Sequence, residues 1–164
     1  MIIHASCVLL GRAAETFDAP PGAGILIVGE SGSGKSGLAL RLIERGAVLI
    51  SDDRTDLLAQ EGNLWARAPA ALAGLLEVRG LGIIELNHAT EARIQLAVQL
   101  CTRSDVVRLP EPACYEAPVD LNIRPECRPP LLRLAAEEAS APAMVLAAAA
   151  AHAKALFRNQ CNPV

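Results

Sequence analysis

Eight consecutive residues, Gly29, Glu30, Ser31, Gly32, Ser33, Gly34, Lys35 and Ser36, fit the pattern G-x-x-x-x-G-K-[ST], and the apolar run Ile25-Leu26-Ile27-Val28 stands directly before them. A loop of this kind works between a strand and a helix. Its small residues let backbone N–H groups curl around phosphate oxygens, and the helix turns its positive N-terminal end toward the same charge. The pattern therefore commits the chain to strand, loop and helix in that order, within an α/β fold whose phosphate chemistry lies at strand C-termini. In such a loop Lys35 sets a point charge on the outer phosphates, and the Ser36 hydroxyl is placed to hold Mg²⁺.

The spacing of Leu38, Ala39, Leu42 and Ile43 predicts a helix over residues 35–45, closed by Gly46 in a left-handed conformation. A second apolar strand over residues 47–50 follows at once and delivers Ser51, Asp52 and Asp53 at its C-terminal end. Two adjacent carboxylates beside bound phosphates would repel the ligand unless a metal or a proton lies between them. Residues 1–10 suit a single first strand, and residues 18–24, with two prolines and two glycines, suit a loop. The turn residues Gln60-Glu61-Gly62-Asn63 separate 54–58 from 64–67 as a hairpin would. In Leu76-Glu77-Val78-Arg79-Gly80-Leu81-Gly82-Ile83-Ile84 two glycines flank a leucine, which suits a loop whose backbone approaches something closely. Ser140, followed by Pro142, reads as the N-cap of a packed, alanine-rich helix.

The 164 residues fit one domain, residues 1–164, with a real core. Hydrophobic residues make up 52% but aromatic residues only 2%, so that core must be built from Leu, Val, Ile and Ala. With a net charge of −3 and neither a basic cluster nor an aromatic platform, sequence-reading nucleic-acid binding is not expected. The apolar stretch at 144–151 is interrupted by His152 and Lys154 and is too short for a bilayer, so no membrane span is expected. Cys7, Cys101, Cys114, Cys127 and Cys161 are scattered and never form C-x-x-C, which argues against a zinc site or a disulfide framework. Reduced thiols and a cytoplasmic location are the corresponding expectations.

Four ordered segments carry a family resemblance: His4 near the first strand, the phosphate loop at 29–36, Arg45-Gly46 through Asp52-Asp53, and Glu77-Val78-Arg79-Gly80-Leu81-Gly82-Ile83. Together they resemble the catalytic domain of the HPr kinase/phosphorylase family, in a short form consisting of that domain alone. The resemblance implies an α/β phosphate-loop core similar to the phosphoenolpyruvate carboxykinase-like fold. It also implies an ATP- and Mg²⁺-dependent enzyme that phosphorylates a serine of the phosphocarrier protein HPr and removes that phosphate. Residues 29–36 would hold the nucleotide phosphates, with Lys35 supporting the transferring phosphoryl group and Ser36 and Glu77 ligating Mg²⁺. Asp53 would take the serine proton, and in reverse act as an acid or activate the attacking phosphate. His4 corresponds to the family's active-site histidine and Arg108 to its late catalytic arginine. Asp52 stands as a second base or a metal-side carboxylate, and Arg79 and Arg124 compete for any phosphate-facing role. HPr is the implied partner, and the family forms hexamers.

The residue after Ser36 is commonly acidic in this family, whereas here it is Gly37, so the reverse reaction is expected to be weaker. Two other classes fit the same core: a small-molecule or carboxykinase-like phosphotransferase, and a non-catalytic nucleotide-gated regulator. A pure binder has no use for a serine-side base, which sets the pair Asp52-Asp53 and Glu77 against the latter.

Overall fold

The computed structural model describes residues 1–154. The phosphate-loop strand lies at its centre, and this strand, β3 (Gly24–Val28), is buried along its whole length. Its alternation is that of a strand packed on both faces. Ile25 and Ile27 point into one core with Leu38 and Leu42, while Leu26 and Val28 point into a second with Ile50, Leu57 and Ile94. The first core is closed by α1 (Lys35–Glu44) and α2 (Ala141–Ala153). Its large buried side chains are Leu, Ile and Val, with many alanines between them, as the scarcity of aromatic residues requires.

On one side β3 pairs antiparallel with β2 (Ala5–Leu9), which pairs antiparallel in turn with β4 (Val48–Ser51). On the other side β3 runs parallel to the long strand β9 (Glu91–Leu100). The free edge of β9 is shared: its first residues pair antiparallel with β6 (Asn63–Arg67), and residues 97–100 pair parallel with β10 (Leu131–Leu134). Beyond β6 come β5 (Thr55–Gln60) and β1 (Ile2–Ile3), which closes that end of the sheet. A separate hairpin joins β7 (Leu75–Val78) to β8 (Gly82–Glu85).

The helix after the phosphate loop starts at Lys35, as its spacing predicts, and ends on two reverse bonds. The Gly46 N–H donates to the Ile43 carbonyl at 2.8 Å and the Ala47 N–H to the Leu42 carbonyl at 3.1 Å, with Gly46 at φ 98°. This is the closure that glycine at that position favours. The 54–58 and 64–67 segments do form a hairpin, turning at Glu61 and Gly62.

Three expectations need correction. Residues 1–10 form two strands, because the chain bends at His4 and crosses from the β5 side of the sheet to β3. Gly80 and Gly82 meet no close neighbour, since a Cβ at either would find nothing within 4 Å. They serve the β7–β8 turn, at φ 85° and 111°. Cys7, Cys101 and Cys127 are free, but Cys114 is disulfide-bonded, so uniformly reduced thiols do not describe this chain. Cys161 lies outside the described residues. Ser140 is the N-cap of α2, as expected, with its hydroxyl turned to the Met144 sulfur at 3.7 Å and making no capping bond. Among the described residues no helix is long and apolar enough to cross a membrane.

Candidate active site

Strand direction assembles the site. The crossover from β3 through α1 returns to β4, and β2 runs antiparallel between those two strands. The start of β2 therefore shares one sheet edge with the ends of β3 and β4. That edge carries His4, the phosphate loop and the two aspartates, from three segments far apart in the chain.

The loop is packed as well as folded. Lys35 is only 5% exposed, and its Nζ donates to the Gly29 carbonyl at 2.9 Å and the Glu30 carbonyl at 2.8 Å. Burial pushes the Lys35 ammonium below the ordinary lysine pKa, an effect that Asp52 and Asp53 partly offset. Ser33 Oγ is buried against the Gly29 backbone without a hydrogen-bond partner. Gly34, at φ 96°, caps α1, and a Cβ there would stand 2.9 Å from the Ala136 Cβ. Arg41 on α1 holds that neighbouring segment in place by donating to the Ala136 and Glu138 carbonyls. Gly34→Ala should therefore lose about 1–2 kcal/mol from the left-handed backbone alone, with the Ala136 contact adding to it. Urea unfolding of the variant beside the native chain measures the loss.

The aspartates are separated by a tight turn. The Arg54 N–H donates to the Asp52 carbonyl at 2.6 Å across Asp53, which sits at φ 61°. Such a conformation persists for a non-glycine residue only where its surroundings enforce it. Here Ser51 Oγ and Thr55 Oγ1 lie 2.7 Å apart beneath the turn, and Thr55 Oγ1 donates to the Ala5 carbonyl at 2.9 Å. The two carboxylates consequently diverge. Asp52 is buried and bonded to Ser36 Oγ at 2.9 Å, while Asp53 is exposed and lies 3.3 Å from His4 Nε2.

Two clefts meet at this pair. One, of about 420 Å³, is lined by Ser31, Gly32, Gly34, Lys35, Ser36, Gly37 and Leu40 from the loop and helix, by Glu77, Val78 and Arg79 from the hairpin, and by His4 and Asp53. The other, of about 410 Å³, is lined by Ile2, Ile3, Arg54 and the shared residues His4, Ser31 and Asp53. The first is large enough for a nucleotide polyphosphate.

Among the described residues no group of three or more His, Cys, Asp or Glu side chains forms a metal cage. The donors in the first cleft, the Ser36 hydroxyl and the Glu77 carboxylate, instead suit Mg²⁺, which takes one or two protein oxygens and completes its shell with phosphate and water.

Of the expected site residues, His4, Lys35, Ser36, Asp53 and Glu77 come together at this edge. Arg108 does not join them. It is exposed on the segment after β9 and lines neither cleft. Arg124 is committed elsewhere, donating to the Glu61 carbonyl at 2.9 Å on the β5–β6 turn, whereas Arg79 lines the first cleft. The sequence reading overlooked Ser6, whose buried hydroxyl donates to Asp52 at 2.5 Å. A lone serine in an apolar strand carries no sequence signal of such a role.

A model of the HPr Serine kinase C-terminal domain family matches residues 20–125, more than half of the chain. The HPr kinase/phosphorylase of Streptococcus thermophilus (strain ATCC BAA-491 / LMD-9) is 49% identical over 84 residues, 49% of this chain and 27% of that protein. The HPr kinase/phosphorylase of Clostridium beijerinckii is 55% identical over 66 residues, 40% of this chain and 22% of that protein. The chain thus spans about a quarter of the length of the curated relatives it matches. In three dimensions it is similar to the Hpr(Ser) kinase/phosphatase from Coxiella burnetii, with a TM-score of 0.73 and 23% identity, over 96% of this chain and 99% of that one, a likeness of fold. With the phosphate loop, the strand-end aspartates and the Glu77 hairpin arranged on one sheet edge, and with the match over residues 20–125, the chain belongs to the HPr Serine kinase C-terminal domain family.

Proposed function

We propose that this domain transfers the γ-phosphate of ATP to a serine hydroxyl of HPr, and in the opposite direction removes it. The observation that carries the reading is the position of Asp53. It projects from a strained turn into the wall shared by two clefts, one lined by the phosphate loop and the other by Ile2, Ile3 and Arg54. A base that must touch both a donor phosphate and an acceptor hydroxyl belongs at such a junction.

In this mechanism the nucleotide phosphates lie along the loop and the N-terminus of α1, and the acceptor serine enters from the second cleft. Its oxygen bonds to the γ-phosphorus while the bond to the bridging oxygen breaks and ADP leaves. The serine proton passes to the Asp53 carboxylate, which His4 holds in orientation at 3.3 Å. Lys35, and Arg79 on the hairpin, place positive charge around the phosphoryl oxygens, where charge spreads in a loose transition state. Ser36 and Glu77 are the residues that would hold Mg²⁺, and the ion would supply neutralisation of the phosphate charge there. Asp52, buried and engaged on both oxygens, has no access to the acceptor and acts on the Ser36 side.

The direct test incubates the protein with γ-labelled ATP, Mg²⁺ and HPr, beside a panel of small hydroxyl-bearing metabolites. Label on an HPr serine is the expected result. Label entering a metabolite and not HPr would make this a small-molecule phosphotransferase, and nucleotide binding with label transferred nowhere would make it a regulator.

Gly37 supplies a further check. A Cβ at this position meets nothing within 4 Å, and the residue lies in the first turn of α1. Gly37→Glu should therefore be more stable by about 0.3–1 kcal/mol through helix preference and the helix dipole. If an acid here assists the reverse reaction, the ratio of phosphorylated-HPr cleavage to HPr phosphorylation should rise. An unchanged ratio, with both rates measured on one preparation, would mark Gly37 as neutral for the reverse direction.

A further inference from the structure

Asp52 is 5% exposed, and its carboxylate accepts three donors. Ser6 Oγ at 2.5 Å and Ser36 Oγ at 2.9 Å both reach Oδ1, and the Glu77 backbone N–H reaches Oδ2 at 3.2 Å. This one carboxylate therefore ties the strand β2, the first turn of α1 and the β7 hairpin together. Ser6 itself is fully buried in β2, where it lines neither of the two clefts.

Resting on the phosphoryl-transfer reading above, we infer that Ser6 is a positioning residue for the metal-binding side of the site. It fixes the Asp52 carboxylate in the orientation that receives the Ser36 proton. A Ser36 hydroxyl whose proton is committed to Asp52 keeps its lone pairs for a cation. Without the Ser6 donor, Oδ1 is left with Ser36 alone in a site closed to solvent, and the carboxylate is held by two hydrogen bonds instead of three. The common anchor of the Ser36 oxygen and the Glu77 backbone is then looser, while Asp53, held by its own turn and by His4, keeps its place. The signature is selective: the demand for Mg²⁺ rises and acceptor recognition does not change. Groups that orient a metal ligand from behind are typically worth about 10–100-fold in metal affinity.

The experiment measures binding of a fluorescent ATP analogue across a Mg²⁺ titration with no acceptor present, in the native chain, Ser6→Ala and Ser6→Thr, each checked by urea unfolding. Ser6→Ala should raise the Mg²⁺ midpoint about 10-fold or more, with binding recovered at saturating Mg²⁺. Ser6→Thr, which keeps the hydroxyl, should stay near the native midpoint. Ser6→Cys keeps the side-chain shape, slightly enlarged, with a weak donor. Where Ser6→Ala does not fold, a raised Mg²⁺ midpoint in Ser6→Cys supports the assignment and a native midpoint overturns it. An unchanged midpoint in a folded Ser6→Ala protein, or an equal rise in Ser6→Ala and Ser6→Thr, overturns the assignment and leaves the phosphate-loop reading standing. A native chain that binds no Mg²⁺-nucleotide overturns both.

Discussion

Lys35→Ala and Lys35→Met should fold as the native chain does and lose phosphoryl transfer by on the order of 10²-fold or more, the cost of removing one preorganised charge from the transition state. Retained folding does not follow from exposure, because Lys35 is 5% exposed and bonded to two loop carbonyls. It follows from the balance of those bonds against the desolvation of the ammonium, which lowers the lysine's pKa in the folded chain. The sign of the pH effect is then determined. With the folded pKa below the unfolded value, Lys35 binds more protons in the unfolded chain between the two, so its own contribution to stability rises with pH through that window. The buried Cys7 thiol, whose pKa burial pushes up, opposes that rise. Urea unfolding over the alkaline range should show the stability of the native chain relative to Lys35→Met rising with pH. Near-native turnover in a folded Lys35→Met protein would refute the phosphate-loop mechanism.

Asp53→Asn should abolish serine phosphorylation while leaving Mg²⁺-nucleotide binding in place, whereas Glu77→Gln should chiefly raise the Mg²⁺ requirement. A base acts on the hydroxyl proton, and a metal ligand acts on the ion. The structure strengthens the separation. Asp53 has its carboxylate in the cleft wall beside His4, and Asn keeps its size, so the turn at φ 61°, which asparagine tolerates, should survive. Initial rates and nucleotide affinity across a Mg²⁺ titration test both variants together. Rescue of Asp53→Asn by extra Mg²⁺ would move the base assignment away from Asp53 and make Asp53 a metal ligand instead.

These two predictions rest on residues that were legible for different reasons. The phosphate loop was readable because its chemistry is local: eight adjacent residues, an apolar strand before them and a helical period after them suffice. Asp52 and Asp53 were readable as a pair, but their roles were not, since adjacent residues differ in role only through the direction each side chain takes. The turn across Asp53, braced by Ser51 and Thr55, decides that direction. The glycines at 80 and 82 show the opposite case. Their presence signals an unusual backbone, but whether the cause is a close neighbour or a turn depends on what packs there, and here a turn is the cause.

By itself the sequence determined the α/β class, the extents of the phosphate-loop strand and its helix, the hairpin at 61–62 and an aliphatic core, because periodicity, turn chemistry and composition act over short stretches of chain. Only the tertiary structure decided that β2 lies antiparallel between β3 and β4, and this one pairing brings His4 to Asp53 and Ser6 to Asp52 across 49 and 46 residues of chain. It also left Arg108 exposed away from the clefts and turned Arg79 into one. The physical reason is that strand pairing is a contest among buried surfaces distant in sequence. A residue's partner across such a pairing is set by the register and direction of both strands, which neither segment encodes alone.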